Sequence, residues 1–171
     1  MNTRTDWITR TETDADIPAI RAVVLAAFDT PLEAGLVDAL RADTSWIPGL
    51  SVVTQTTDGT VVGHALLTRC HIGDTPALCL APVAVLPEYQ KTGAGSAAVR
   101  AALDAAEAMG ENAVTVLGHP DYYPRFGFTR ASTYGIRPTI DVPDEAMMVL
   151  GLDAGRPLPA GTLHYAAPFG I

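Results

Sequence analysis

Hydrophobic and polar positions recur along this chain with two different periods, and the switches between them mark out its elements. In "TETDADIPAIRAVVLAAF" the apolar residues Ile17, Ile20, Val24, Ala27 and Phe28 fall at helical spacing, behind Thr13 and Asp14 as capping residues and Pro18 in the first turn. The spacing predicts a helix. "PLEAGLVDALRA" repeats it more briefly through Leu32, Leu36, Val37 and Leu40, weakened by Gly35, and predicts a short second helix. The period then shortens to that of a strand. The β-branched runs "LSVVTQT" and "VVGHALLTRCHI" flank "TDGT" in the manner of a hairpin, and a second turn, "GDTP", leads into "ALCLAPVAVL". After a glycine-containing loop come an alanine-lined helix, a strand "NAVTVLG", the compact "HPDYYPRFGF" and a late strand around "AMMVLGL".

The order of these elements constrains their pairing. Strand, helix and strand in succession over residues 77–118 form a β-α-β unit, so its two strands should be parallel, whereas the hairpin-linked strands before it should be antiparallel. The expected fold is a mixed α/β sheet covered by helices rather than a doubly wound parallel one. Cys70 and Cys79 lie symmetrically about Asp74–Thr75 and are expected to be cross-strand neighbours, remaining thiols in a reducing compartment. His64 and His71 are an odd number of residues apart on one strand, so they face opposite ways, cannot share a metal, and read as structural.

Composition narrows the functional classes. A chain of 171 residues with 48% hydrophobic content can bury one good core, so a single domain over residues 1–171 is expected. With 19 acidic residues against 11 basic ones the formal charge is -8, which argues against a nucleic-acid partner and leaves only a local basic patch for a small anion. The first residues lack the apolar core of a secretory signal and "ALCLAPVAVL" is too short to span a bilayer, so no membrane role is expected and a cytoplasmic location is the reading. The two cysteines have no metal-type spacing and signal neither a disulfide framework nor a metal site.

The loop "LPEYQKTGAGSAAVR" carries the first candidate chemistry. Gly93, Gly95 and Ala98 match a variant of the dinucleotide fingerprint. That motif, however, puts its first glycine directly at the strand end, and here "PEYQKT" intervenes with no acidic residue closing the next strand. A nucleoside-triphosphate loop would need a lysine before Ser96 and has Gly95 there. What remains is a loop whose backbone N–H groups converge on an anion at a helix N-terminus, with Lys91 as the nearest positive charge, or else an ordinary connection whose glycines only make a turn.

"GHPDYYPRFGF" decides between these, because it places Tyr123 five residues before Phe128 of a Gly-Phe pair, just downstream of the β-α-β unit. Together with Gln90-Lys91-Thr92-Gly93-Ala94-Gly95, this segment resembles the GCN5-related N-acetyltransferase (GNAT) superfamily. More narrowly, "LAPVAVLPEYQKTGAGSA", "VLGHPDYYPRFGF" and "GTLHYAAPF" resemble its small bacterial YhbS-like branch. The resemblance implies the GNAT fold: a central, mixed, mostly antiparallel sheet with a parallel β-α-β unit at the acetyl-CoA site and helices on both faces. It also implies that backbone groups of Val83, Ala84 and Val85 pair with the pantetheine arm, and that Gln90, Lys91, Thr92, Gly93, Ala94, Gly95 and Ser96 wrap the pyrophosphate. Tyr123 takes the place of the tyrosine that protonates the departing thiolate. Pro82 supports this placement independently, since a proline within an apolar strand belongs at an edge or a bulge, and a bulge frees an N–H for the thioester carbonyl.

Tyr122, one position out of register with the Gly-Phe pair, and Phe126 read as packing residues. Where many members of the superfamily have an asparagine, this chain has Gly118, His119 and Pro120, so no asparagine role carries over. Lys91, Arg100, Arg125 and Arg130 are the basic residues that could meet cofactor phosphates, although solvated surface positions suit Arg125 and Arg130 equally. His119, Asp121, Glu88 and Glu33 stay open as general bases, as does water. The leading function is acetyl transfer from acetyl-CoA to a primary amine of a small molecule or peptide, without a metal. A non-catalytic acyl-CoA-binding module is the rival, and a homodimer stays open.

Overall fold

The computed structural model describes residues 7–171. A short strand β1 (Ile8–Thr11) leads through a single 3-10 turn into α1 (Ile17–Ala27), and α2 (Leu32–Arg41) follows. The turn is closed by Asp16 rather than Asp14. Its carboxylate accepts the Thr13 N–H at 2.7 Å and both Arg10 amino groups at 2.6 and 2.8 Å. That bidentate bond to Arg10 holds the Asp16 carboxyl well below the usual carboxylate range.

Strands β2 (Trp46–Gln55), β3 (Val61–Ile72) and β4 (Thr75–Val85) form the antiparallel meander expected from the two hairpin signatures. Helix α3 (Ala94–Ala108) then crosses over to β5 (Ala113–Leu117), which pairs parallel to β4. The remaining strands are β6 (Thr129–Arg130), β7 (Ile136–Arg137), β8 (Met147–Gly151) and β9 (Gly161–His164). The sheet runs β1-β2-β3-β4-β5-β8-β6, with β9 against the far end of β3 and β7 beside β9. Helix α3 covers one face through Ala98, Val99 and Ala102 over Leu50, Leu67, Leu78 and Val114. On the other face α1 and α2 pack Ile20, Val24 and Leu40 against Val53, Leu66 and Ala84. The mixed sheet with helices on both faces is therefore as the periodicity and the resemblance implied. Strands β1, β6, β7 and β9 carry no signal in the sequence, since two to four residues are too few to display a period of two.

The expected pairing of the two cysteines does not hold. Gly73 adopts a positive φ of 57° and sets the turn at Gly73–Asp74, one position before the assumed centre. Ile72 then faces Thr75, Cys70 faces Ala77, and Cys79 faces Thr68, so the cysteines are diagonal rather than opposite. Both are free and buried. Burial pushes the Cys70 thiol up to about 12 and Cys79 well above its ordinary range.

His64 and His71 do face opposite ways, the first buried and the second exposed. His64 is the buried end of a chain of partly buried polar contacts. Arg41 holds the Glu12 carboxylate at 3.0 and 3.1 Å, Ser51 donates to that carboxylate, and His64 Nε2 lies 2.8 Å from the Ser51 oxygen. A carboxylate only accepts, so the serine hydroxyl must point at Glu12, and its oxygen then accepts from His64 Nε2–H. This leaves the buried His64 Nδ1 as a bare lone pair with no partner. Protonating it would bury a charge, and desolvation, aided by the Arg41 charge, lowers the His64 pKa from 6.5 to about 3.

The unfolded chain therefore binds a proton that the fold refuses between pH 6.5 and about 3. The histidine contributes its stability above pH 6.5 and loses it as the pH falls, by up to ~1.4 kcal/mol per pH unit. Urea unfolding of wild type and of His64→Gln, compared at several pH values across the acid side of neutrality, should show a shallower decline in the variant. Parallel declines would locate the acid sensitivity elsewhere.

Candidate active site

The site begins where two parallel strands part. β4 and β5 are paired only at Leu78–Val114 and Cys79–Thr115, where the Thr115 hydroxyl also donates to the Leu78 carbonyl at 3.1 Å. Just beyond, the register of β4 on β3 slips: Leu67 faces Leu80 but Ala65 faces Val83, so β4 carries one extra residue around Ala81–Pro82. Pro82 has no N–H to give to a ladder, which makes it suited to a bulge. Past the bulge, Val83, Ala84 and Val85 pair with β3, and β5 has turned away. Side chains alternate along this stretch: Val83 and Val85 line the resulting cleft, while Ala84 is buried on the opposite face beneath α1.

The glycine loop closes one end. The first helical bond of α3 runs from Ala97 N–H to the Gly93 carbonyl at 2.9 Å, so the N–H groups of Ala94, Gly95 and Ser96 have no partner within the helix. Two left-handed residues, Lys91 at φ 62° and Gly93 at φ 91°, turn the chain into this end. Gly95 is buried, and a Cβ there would come within 3.0 Å of Val85 Cγ2. The loop is tied from several sides. Gln90 Nε2 donates to the Val85 carbonyl at 3.2 Å, Trp7 Nε1 to the Thr92 carbonyl at 3.1 Å, and the Thr54 hydroxyl to the Ala94 carbonyl at 2.9 Å.

The opposite wall is the tyrosine segment. Tyr123 opens a short 3-10 turn that ends at Gly127, whose φ of 101° lets the chain reverse and sink Phe128 into the core. The Tyr123 ring meets Phe128 edge-on at 5.9 Å and Tyr122 edge-on at 5.0 Å. Burial first, and then the neighbouring Tyr122, push its phenol from 10.0 up to about 12. Tyr122 is not only a packing residue: its hydroxyl lies 2.9 Å from the Ser96 hydroxyl, and Arg125 lies over its ring at 4.2 Å.

The cleft between these walls measures about 730 Å³. It brings Val83, Val85 and Tyr123 together with Gln90, Lys91, Gly93, Gly95 and Ser96. Ala84, Thr92 and Ala94 do not line it, although their backbone belongs to the same strand and loop. Of the candidate bases only His119 reaches it; Glu33 is bonded to Thr30 at 3.0 Å, and Asp121 and Glu88 are exposed. Of the four basic residues, Lys91 and Arg125 line it, whereas Arg100 lies over Phe126 at 4.9 Å and Arg130 pairs with Asp144 at 3.3 Å. Ala27 and Phe28, at the end of α1, also contribute, and the helical pattern marked them only as core. Among the described residues no group of three or more His, Cys, Asp or Glu side chains is placed to hold a metal ion.

Residues 20–128 match the acetyltransferase (GNAT) family. The chain belongs to that family. It is 42% identical over 118 residues to the uncharacterized N-acetyltransferase YjhQ of Escherichia coli, an alignment that covers 67% of this chain and 65% of YjhQ, just under two thirds of that relative. The crystal structure of the Escherichia coli GNAT protein YhbS in complex with CoA superposes with a TM-score of 0.89 at 26% identity, covering 100% of this chain and 96% of that one. A GNAT acetyltransferase from Brucella melitensis in complex with acetyl-CoA superposes with a TM-score of 0.79 at 30% identity, over 96% of this chain and 99% of that one. The resemblance carried by the glycine loop and the tyrosine segment is thus borne out in family and in fold.

The structure also shows why position 118 is a glycine in this chain. A Cβ on Gly118 would run into the Tyr123 ring, so the tyrosine occupies space that any side chain at position 118 would need. Gly118→Ala should therefore cost ~1–3 kcal/mol in urea unfolding through overpacking. In a Tyr123→Ala background the same substitution should cost almost nothing. A full cost in both backgrounds would mean that the two residues do not compete for space.

Proposed function

We propose that this chain is an acetyl-CoA-dependent N-acetyltransferase that moves the acetyl group to a primary amine of a small molecule or peptide by direct attack on the thioester. The observation that carries this reading is the convergence of three features on one cleft: the freed edge of Val83–Val85, the open N-terminus of α3, and the Tyr123 side chain. A nucleotide thioester needs all three. Its pyrophosphate suits the unpartnered N–H groups of Ala94, Gly95 and Ser96 together with Lys91. Its pantetheine amides suit a strand edge, where backbone groups of Val83, Ala84 and Val85 can pair with them. The relatives that crystallised with CoA and acetyl-CoA support the same donor here.

Chemistry then follows at the far end of the arm. The amine nitrogen attacks the carbonyl carbon, a C–N bond forms, and the oxyanion is met by a backbone N–H near the bulge in β4. Collapse breaks the C–S bond, and the thiolate takes the proton of Tyr123. A phenol raised to about 12 is fully protonated at neutral pH, so the proton is always present. It is a weaker acid than a free phenol. Against a solution thiol near ~8.5 the transfer would run uphill, and the same burial that raises the phenol also raises the thiol inside the cleft. His119 is the one candidate base that lines the cleft, and water is the alternative. Retention of Tyr123 favours turnover over a purely binding role.

On this reading all 171 residues form one catalytic domain. Its place is the cytoplasm, where acetyl-CoA is available; no helix among the described residues is long and apolar enough to cross a membrane. The acceptor is not a nucleic acid, because the net charge of -8 repels a polyanion and the cations that line the cleft, Lys91 and Arg125, serve the donor's phosphates.

Two measurements test the assignment. CoA at about 100 times its Kd should stabilise the wild type by ~2.7 kcal/mol, and Gly95→Asp, which sets a carboxylate against the pyrophosphate, should abolish the thermal shift. Lys91→Glu, at an exposed position, should weaken it without touching the core. Equal shifts in all three proteins would remove the loop from the site. Tyr123→Phe should lower kcat for thiol release, with a panel of amines, on the order of 10² to 10⁴-fold while CoA affinity changes little. Full activity in that variant would mean that the acid is elsewhere.

A further inference from the structure

Tyr123 has the role that most needs a fixed orientation, yet among the described residues its side chain is held by packing alone. Gly118 lies beneath its ring, and Phe126, Phe128 and Tyr122 surround it at centroid distances of 6.2, 5.9 and 5.0 Å. Tyr122, in contrast, is fixed at several points. Its carbonyl accepts Arg125 Nε–H at 2.8 Å, the Arg125 guanidinium lies over its ring at 4.2 Å, and its hydroxyl meets Ser96 Oγ at 2.9 Å. Ser96 stands in the first turn of α3, where its own N–H is among those left open to an anion.

We propose that Tyr122 is a positioning residue that ties the glycine loop to the orientation of Tyr123, through its hydroxyl bond to Ser96 and the edge-on contact of the two tyrosine rings. An anion at the start of α3 fixes the Ser96 backbone, the Ser96 hydroxyl fixes the Tyr122 ring, and the Tyr122 ring sets the wall against which Tyr123 leans. The two tyrosines thus divide the work: one donates a proton, the other reports that the donor substrate is in place. This rests on the proposed role of Tyr123. It goes beyond that role by giving the adjacent tyrosine and Ser96 a part in kcat rather than in affinity alone.

The test is a double-mutant cycle on acetyl-CoA-dependent thiol release with the amine panel, alongside calorimetric CoA affinity. Tyr122→Phe keeps the ring and removes the hydroxyl; Ser96→Ala removes its partner. Each should lower kcat on the order of 10-fold, since small displacements of a reacting group are costly, with the KM for acetyl-CoA and the CoA affinity within about 3-fold of wild type. The double variant should be no slower than either single one, because both break the same link. Ser96→Thr, which restores a hydroxyl, should recover most of the rate. Wild-type kcat in Tyr122→Phe, losses that multiply in the double variant, or a change confined to KM would each overturn the proposal. Tyr123→Phe, run in parallel, separates the levels. If it is impaired while Tyr122→Phe is normal, only the positioning role fails; if it is fully active, the reading of Tyr123 fails and the positioning role with it.

Discussion

One extra residue in β4 governs this molecule. The slip in register between Leu67–Leu80 and Ala65–Val83 marks where β4 stops serving two neighbours and keeps one. Before it, the strand is an ordinary interior strand with Leu78 and Leu80 in the core; after it, the strand is an edge in the middle of a sheet. Exposed edges are usually a liability because their unpaired groups invite another chain. Here the edge lies inside a cleft, between the glycine loop and the tyrosine segment. Core side chains pack on both faces of the sheet around it, so the opening is a local exception maintained by the fold.

That exception is kept open by ties that come from distant parts of the chain. Thr54, in β2, holds the start of α3; Trp7, before β1, holds the loop ahead of it; Gln90 returns the loop to Val85. The loop consequently arrives preorganised, with its left-handed residues already set and its N–H groups already aimed. On the other wall the order comes from aromatic packing around Gly118 and Gly127, one needed for closeness and one for its positive φ. A cofactor binding between two such walls has little ordering left to cost it.

Much of this is legible in the sequence, for identifiable reasons. Helices α1 and α3 and the strands of the meander show their periods over ten or more residues, and the β-α-β order dictates the parallel pair. The position of Pro82 in an apolar run foretold an irregular strand. What the sequence hides depends on single-residue offsets and on distance. The turn at Gly73–Asp74 rather than Asp74–Thr75 moved the cysteines from opposite to diagonal, because a shift of one centre changes every pairing in a hairpin. Tyr122 and Tyr123 are adjacent and chemically alike, and only the position of Ser96 in space gives the first a polar partner. Phe28 reads as one more apolar residue of a helix, and its place at the cleft depends on where α1 ends relative to β4.

The burial of both cysteines has a consequence for how this protein meets oxidants and electrophiles. Attack on such reagents requires a thiolate at the surface, and here both thiols are enclosed and held protonated far above neutral pH. On the proposed reaction, which liberates a free thiol at every turnover, the protein carries no reactive thiol of its own to exchange with the product. Mixed disulfides with the protein are disfavoured from the start, and a thiol-reactive dye added to the native protein would find neither cysteine.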